Sequence, residues 1–276
     1  MVGALAAGAL ALAGLLLWLR WLEPRMLYYP TRPLSQTPSS LGWAYEEVRL
    51  RASDGVAIHG WHIPAAPDSI RLPPHGPLTV LFLHGNAGNI SHRFEKLAIL
   101  RDFGVSVLIV DYRGYGRSEG RPGEAGLYRD ARAALDHLTG ERGLDPGAII
   151  LYGESLGSAV AAHLAAESGV GGVVLEAAFA SARDVGQAMF PFLPVRWLMR
   201  SRFDTERAIA RVDAPILLLH SRDDEFFPPR HAERLLAASP GRARLVLLRG
   251  GHNEAFLASE PDYRRALGEF FAERRV

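Results

Sequence analysis

The sequence contains no cysteine among its 276 residues. Disulfide bonds, thiol nucleophiles and cysteine-ligated zinc sites are therefore excluded. The chain also lacks an excess of charge of either sign, because 31 basic and 30 acidic side chains give a formal net charge of +1. This balance argues against a nucleic-acid partner. The HExxH, P-loop and GxGxxG patterns are also missing, so nothing in the chain calls for a metal ion, a nucleotide or another cofactor.

The N-terminus departs from this balanced composition. Val2–Leu19 is an unbroken run of 18 residues without a charged or strongly polar side chain. As a helix the run would span ~27 Å, which is close to the thickness of a bilayer core. Trp18 and Trp21 lie where an aromatic belt would, and Arg20 could reach the headgroups. We therefore expect residues 1–22 to form a single-pass membrane anchor.

Two other interpretations of this segment stay open. A cleaved signal peptide is favoured by Ala11–Ala13, which resembles a small-residue cleavage site, although the apolar run is longer than usual and no Lys or Arg precedes it. A buried helix of the folded domain is the third interpretation. The arginines that follow the run slightly favour a cytoplasmic position for the rest of the chain, and the side of the membrane stays open.

The rest of the chain is organised as a connector and one domain. Residues 23–43 are rich in proline and serine and are typical of a connector, and residues 44–276 carry the strand and helix patterns. Two strands joined at Ser53–Gly55 come first and indicate a hairpin. Apolar strands then alternate with helical patterns, which predicts an α/β fold with a mostly parallel, eight-stranded sheet and helices on both faces. The predicted strands are Tyr45–Arg51, Val56–Ile63, Leu78–Leu83, Val105–Val110, Ile149–Tyr152, Gly172–Leu175, Pro215–His220 and Arg244–Leu248.

Residues 180–213 interrupt this alternation. The stretch lies between two predicted strands and is too long for one simple crossover helix. It contains Met189–Met199 (MFPFLPVRWLM), which is aromatic and broken by proline. We expect it to form a small cap over the strand ends with an apolar underside, and the alternative is an ordinary helix pair packed on the sheet.

A glycine-flanked serine lies between a predicted strand and a predicted helix. Gly153–Gly157 (GESLG) follows the apolar run Ala148–Tyr152 and precedes the small-residue helical pattern Ser158–Glu167. Strand, glycine-flanked serine and helix are the context that a nucleophile elbow needs, because the tight turn leaves no room for side chains on either side of the serine. The pattern predicts Ser155 as a nucleophile.

A serine hydroxyl needs an adjacent base to take its proton, and the base needs an acid to orient it. After a nucleophile elbow the acid and then the base follow in chain order, each beyond a strand end. His252 follows the last predicted strand and two glycines that let its loop bend, so we predict it as the base, with His220 as its rival. The acid is one of the three adjacent residues Asp223–Glu225.

The loop His84–Gly88 follows another strand end. In an acyl-transfer enzyme a loop at this place supplies one backbone N–H to the oxyanion, and the residue after the nucleophile supplies the second. We therefore predict Asn86 and Leu156 as the two donors. His84 is expected to brace the loop through hydrogen bonds and not to act as a base.

With these motifs the chain resembles the α/β-hydrolase superfamily. Within it, the chain resembles the membrane-anchored serine hydrolases related to the fission-yeast bud-emergence protein and the human abhydrolase-domain proteins. The resemblance runs from about Tyr28 to the C-terminus. The segments that carry it are His84–Asn89, Asp111–Ser118, Gly153–Gly157, Asp224–Pro228 and Gly251–Asn253.

The resemblance implies a role for each residue of the predicted site. Ser155 corresponds to the nucleophile, Asp224 to the acid and His252 to the base, and an N-terminal anchor is implied as well. The acid loop departs from the family pattern at three positions: Ser221 stands where relatives often carry glycine, and Phe226 and Phe227 replace smaller aliphatic residues.

These observations predict a serine hydrolase that cleaves carboxylic ester or thioester bonds of acyl or lipid-like substrates near a membrane through an acyl-enzyme. The serine argues against relatives that use a carboxylate nucleophile. Two alternatives stay open, a serine peptidase or amidase on small substrates and a non-catalytic, membrane-tethered binding protein on a hydrolase scaffold. The expected partners are a small-molecule substrate and the membrane, with no cofactor, metal ion or nucleic acid.

Overall fold

One eight-stranded sheet forms the centre of the protein. The structure is a computed structural model that describes residues 10, 14, 18, 20–66 and 78–274. The strands of the large sheet are β2 (Glu46–Arg51), β3 (Ala57–Ile63), β4 (Thr79–Leu83), β6 (Ser106–Val110), β7 (Ile149–Glu154), β8 (Gly172–Glu176), β9 (Ile216–Ser221) and β10 (Ala243–Leu248). Their order across the sheet is β10-β9-β8-β7-β4-β6-β3-β2. Two short strands, β1 (Tyr29–Pro30) and β5 (Ala87–Gly88), pair separately.

Helices follow most of the strands and cover the sheet. The first helical segment, α1, comprises residues 20–27. The others are α2 (Phe94–Asp102), α3 (Glu124–Asp136), α4 (Leu156–Ala165), α5 (Ala182–Met189), α6 (Val195–Leu198), α7 (Thr205–Ile209), α8 (Arg230–Ala238), α9 (Ala255–Ala258) and α10 (Glu260–Arg274). Short 3-10 turns occur at Pro38–Leu41, Ile90–His92 and Pro146–Ala148, and a π-helical turn at His137–Glu141 extends α3.

The strand directions confirm the predicted fold class. β2 and β3 are antiparallel, and β3 is antiparallel to β6, whereas all the other neighbours in the large sheet run parallel. The turn between β2 and β3 places Gly55 at a φ of 87°, a left-handed conformation that glycine adopts without strain. The hairpin predicted at Ser53–Gly55 is therefore present.

The central strands are buried on both faces. In β4, Leu81 and Leu83 belong to one hydrophobic cluster, whereas Val80 and Phe82 belong to a second one. Successive side chains of a strand point to opposite faces, so each cluster fills one side of the sheet. Burial on both faces explains why these strands appear in the sequence as continuous apolar runs.

The stretch predicted as a cap divides into two parts. α5 and α6 pack against each other, whereas α7 packs against α4 and α8 in the layer beside the sheet. The difference follows the sequence, because Ala208 and Ile209 of α7 are buried, whereas Phe192 and Trp197 around α6 are exposed. Only the part that contains α5 and α6 lies above the strand ends. The cap is therefore shorter than the predicted residues 180–213.

The predicted membrane localisation is wrong. Within the described part of the chain, no helix is both apolar and long enough to cross a bilayer. Most of the predicted span Val2–Leu19 lies outside the described residues.

Candidate active site

Ser155 occupies the sharp turn between β7 and α4. Its φ of 51° lies in the left-handed region, which residues with a side chain rarely adopt. A methyl group at Gly157 would collide with the carbonyl oxygen of Leu83, and one at Gly153 would collide with the backbone of Gly157. The turn therefore requires glycine on both sides of the serine, as the spacing of the motif predicts.

Three side chains that are far apart in the sequence meet at one edge of the sheet. His252 Nε2 lies 3.0 Å from Ser155 Oγ, and His252 Nδ1 lies 2.7 Å from Asp224 Oδ2. The three residues follow β7, β10 and β9, parallel strands whose carboxyl ends share this edge. The imidazole thus bridges a hydroxyl and a carboxylate, an arrangement in which a histidine can accept the serine proton.

The loop after β9 orients the Asp224 carboxylate. The backbone N–H groups of Phe226 and Phe227 donate to Oδ1 at 2.9 and 2.7 Å, which leaves Oδ2 for His252. Burial alone would raise the pKa of this carboxyl group, but the hydrogen bonds from His252 and from the two backbone N–H groups outweigh it, and the pKa is lowered. The carboxylate is therefore ionised at neutral pH.

The structure separates the three adjacent acids that the sequence left as alternatives. Asp224 faces the imidazole, whereas Asp223 forms an ion pair with Arg249 at 3.2 Å. The Glu225 carboxylate accepts the backbone N–H of His252 at 2.9 Å. Asp223 and Glu225 thus hold the loop that carries the histidine, and only Asp224 contacts its ring.

The rival histidine lies beneath the acid loop. His220 is 2% exposed, and its Nε2 donates to the carbonyl oxygen of Phe227 at 2.7 Å. Burial lowers the pKa of its imidazole, so the ring is neutral at neutral pH. His220 therefore supports the backbone that orients Asp224, and the imidazole facing Ser155 belongs to His252.

The two predicted oxyanion donors, Asn86 and Leu156, border the same cavity as Ser155. Across the described ranges, neither of their backbone N–H groups donates to another residue. The Asn86 loop is fastened by other atoms, because its Nδ2 donates to the carbonyl of Leu27 at 3.0 Å and its carbonyl accepts from the Tyr115 hydroxyl at 2.8 Å. Both N–H groups are thus available to a ligand at the serine.

His84 is fully buried under the same loop. Its Nδ1 donates to the carbonyl oxygen of Gly85 at 2.6 Å, and its ring packs against Tyr112 and Tyr115. Burial lowers the pKa of His84 to about 4, so the imidazole is neutral at neutral pH. These contacts fit a residue that braces the loop.

Sequence reasoning missed a buried ion cluster beneath the elbow. Lys96 Nζ lies 2.8 Å from Glu154 and 2.9 Å from Glu176, and all three side chains are largely buried. Burial lowers the pKa of the Lys96 ammonium, but the two carboxylates outweigh burial and raise it. Because Glu154 precedes Ser155 and the Glu176 carbonyl accepts the Ser155 N–H at 2.8 Å, the cluster fixes both strands that hold the elbow.

An apolar cavity of about 390 Å³ opens at the serine. Its walls come from α1, from α5 and α6, and from the loops at the strand ends. The lining residues are Trp18, Leu22, Glu23, Met26, Leu27, Asn86, Ser155, Leu156, Phe179, Ala182, Val185, Gly186, Met189, Phe190, Leu193, Val195, Leu198, Met199 and Phe227.

The fold is that of an α/β hydrolase, and the sequence comparisons agree. The family model described as "Alpha/beta hydrolase family" matches residues 80–204. The alpha/beta hydrolase domain-containing protein WAV2 of Arabidopsis thaliana is 37% identical over 85% of this chain and 81% of its own length. The uncharacterized protein Rv2307c of Mycobacterium tuberculosis is 36% identical over 97% of this chain and 94% of its own length. The chain therefore belongs to the alpha/beta hydrolase family, which confirms the resemblance carried by its motifs.

A solved structure shares the architecture. The Pyrococcus furiosus esterase Pf2001 matches with a TM-score of 0.75 and 19% sequence identity, covering 91% of this chain and 99% of that chain. At this level of identity the likeness shows the fold alone.

Proposed function

We propose that the protein is a serine hydrolase that cleaves carboxylic ester or thioester bonds. The observation that carries the proposal is the continuous contact from Ser155 Oγ to His252 Nε2 at 3.0 Å and from His252 Nδ1 to Asp224 Oδ2 at 2.7 Å. A hydroxyl, an imidazole and an ionised carboxylate in this order form a serine nucleophile with its general base and the acid that orients it.

The contacts support an acyl-enzyme mechanism. Ser155 Oγ attacks the acyl carbonyl carbon while His252 Nε2 takes the hydroxyl proton, and the developing oxyanion accepts the N–H groups of Asn86 and Leu156. His252 then gives the proton to the leaving alcohol or thiol, and a water molecule hydrolyses the acyl-enzyme. Asp224 holds the imidazole and stabilises its protonated form.

The cavity supports an apolar acyl group as the part of the substrate that the enzyme recognises. Almost all of the side chains around it are aliphatic, aromatic or methionine, and Glu23 is the one charged residue among the described lining residues. Each methylene that moves from water into such a site gains about 0.8 kcal/mol. We therefore expect esters or thioesters of unbranched apolar acids to be preferred over acetates.

The proposal is tested with Ser155→Ala, using p-nitrophenyl esters and a fluorophosphonate probe that labels activated serines. We expect the variant to lose at least about 10⁴-fold in kcat and to lose all labelling, because both need the Oγ nucleophile. Ser168→Ala is the matched control, since Ser168 follows the far end of α4. It should label and turn over as the wild type does.

Three results would contradict the proposal. Full activity or undiminished labelling of Ser155→Ala would show that another residue is the nucleophile. A wild-type protein that labels but prefers amides of small substrates over all esters would favour a serine peptidase or amidase, and one that neither labels nor hydrolyses would favour a binding protein on a hydrolase scaffold.

A further inference from the structure

We infer that α1 forms one wall of the acyl-binding site and that its cavity-facing residues set the length of acyl chain the enzyme accepts. The inference rests on the proposed function, because it names the substrate-binding part of the same site. It gives a role in substrate selection to a helix that precedes the strands of the large sheet.

One face of α1, together with Trp18 just before it, borders the cavity. Trp18, Leu22 and Met26 all line it, and residues four apart in a helix lie on the same side. The facing wall is equally apolar and includes Met189 of α5 and Leu198 of α6. An acyl chain that starts at the serine would therefore lie between two apolar helical segments.

Two contacts fasten α1 to different parts of the site. The Glu23 carboxylate accepts the backbone N–H groups of Arg200 and Ser201 at 3.0 and 2.8 Å, just after α6. At the C-terminal end of α1, the carbonyl oxygen of Leu27 accepts a hydrogen bond from the side chain of Asn86 at 3.0 Å. These hydrogen bonds hold α1 against the segment after α6 on the opposite side of the cavity. They also hold it against the loop that carries Asn86, a predicted oxyanion donor.

The remaining face of α1 does not border the cavity. Trp21 and Arg25 are absent from the described lining residues, and the Arg25 guanidinium lies 3.7 Å from the centre of the Trp21 ring. Both side chains are exposed. This face supplies a matched control for any substitution on the cavity face.

The experiment compares Leu22→Trp with Arg25→Trp on p-nitrophenyl butyrate, octanoate and dodecanoate. Both variants add the same ring to α1, but only the ring at position 22 enters the cavity. For Leu22→Trp we expect the ratio of kcat/KM for dodecanoate to that for butyrate to fall at least about tenfold, because the long chain loses its space and the short one does not. For Arg25→Trp the ratio should stay within about twofold of the wild type.

Glu23→Gln tests the fastening without adding bulk. The amide keeps one oxygen acceptor but presents an NH₂ group to the second backbone N–H, so α1 should be held less firmly. We expect the ratio of kcat/KM for dodecanoate to that for butyrate to fall about fivefold, because the longer chain depends more on the position of α1. Glu23 is in this sense a positioning residue.

The inference would be overturned if Leu22→Trp and Glu23→Gln both keep the wild-type chain-length profile while butyrate is still hydrolysed and Ser155 still labels. That result would leave the proposed function intact. A wild-type protein that hydrolyses no ester and takes up no fluorophosphonate is a different outcome, in which the proposed function fails and the inference falls with it.

Discussion

At the scale of single residues, the tautomer of His252 decides what the site can do. Asp224 Oδ2 can only accept, so the hydrogen on the imidazole must be on Nδ1. Nε2 then has a free lone pair directed at Ser155 Oγ, 3.0 Å away. The two backbone N–H groups on Oδ1 prevent the carboxylate from rotating, and the preference for this tautomer is therefore built into the acid loop.

Asp224→Asn tests whether Asp224 sets the tautomer of His252. With the amide oxygen kept at the Oδ1 position by the two backbone donors, the NH₂ group would face Nδ1 and force the hydrogen onto Nε2. His252 could then no longer accept the Ser155 proton, and we expect kcat for ester hydrolysis to fall about 10⁴-fold with little change in KM.

Asp223→Asn is the matched control for this variant, because Asp223 lies one residue away and pairs with Arg249 at the surface. It should retain activity within about threefold of the wild type. Comparable losses in both variants would mean that the acid loop acts as a unit and that Asp224 has no special relation to the imidazole.

At the scale of elements, the elbow combines a strained turn with a close approach of α4 to the sheet. Ser155 has a φ of 51°, and its neighbour across the sheet edge, Ala177, has a φ of 48°. Such conformations persist only where the surroundings enforce them. The ion cluster of Lys96, Glu154 and Glu176 beneath the elbow enforces them, because its two carboxylates belong to the strands that end just before Ser155 and Ala177.

Gly157→Ala should therefore disrupt the elbow. The added methyl group would collide with the carbonyl oxygens of Leu83 and His84, which are backbone atoms of the buried sheet and its loop and cannot move cheaply. We expect a loss of about 3 kcal/mol or more in the free energy of unfolding, measured by urea denaturation.

Gly169→Ala is the control for this substitution, since a methyl group at that position meets nothing within 4 Å. It should leave the urea midpoint unchanged or raise it slightly. If Gly157→Ala were as stable as Gly169→Ala, the close packing of α4 on the end of β4 would not limit the sequence at the elbow.

The elements also show what the sequence could and could not predict. The strand positions were predictable because strands buried on both faces are continuous apolar runs, and the elbow was predictable because its turn demands glycines at fixed spacing. The choice of Asp224 over Asp223 and Glu225 depended on the resemblance to a family, since three adjacent carboxylates have the same local pattern. The Lys96 cluster was not predictable, because its partner Glu154 is 58 residues away.

The N-terminal segment illustrates the same limit. An apolar run followed by tryptophan and arginine predicts a membrane span, but apolar residues at a spacing of four at the end of such a run can equally face a cavity of the protein itself. Leu22 and Met26 do so, and Trp18 lines the same cavity. Hydrophobic pattern alone does not say what covers an apolar helix face.

At the scale of the whole molecule, several histidines are buried as neutral groups. Burial lowers the pKa of His84 to about 4, and it also lowers the pKa values of His220 and His231. In the unfolded chain each would titrate near 6.5. Between these values the unfolded state binds protons that the folded state does not, so the free energy of unfolding falls as the pH decreases.

We therefore expect the protein to lose stability between pH 7 and pH 5. A pKa of about 4 in the folded state against about 6.5 in the unfolded state makes the contribution of His84 alone about 2 kcal/mol over this interval. The measurement is the free energy of unfolding from urea denaturation at both pH values, for the wild type and for His84→Gln.

His84→Gln separates the contribution of His84 to this pH dependence from that of the other buried histidines. His84→Gln can still donate to the Gly85 carbonyl but cannot take up a proton, so the difference in stability between pH 7 and pH 5 should shrink by about 2 kcal/mol, whatever the variant does to stability at pH 7. His163→Gln is the control, because His163 is partly exposed and stacks on Tyr128 near the surface. Its effect on the pH difference should be smaller. An unchanged pH difference in His84→Gln would mean that His84 takes up a proton between pH 7 and pH 5 in the folded protein as it does in the unfolded chain, with Asp111, 3.7 Å from its Nε2, facing the imidazolium.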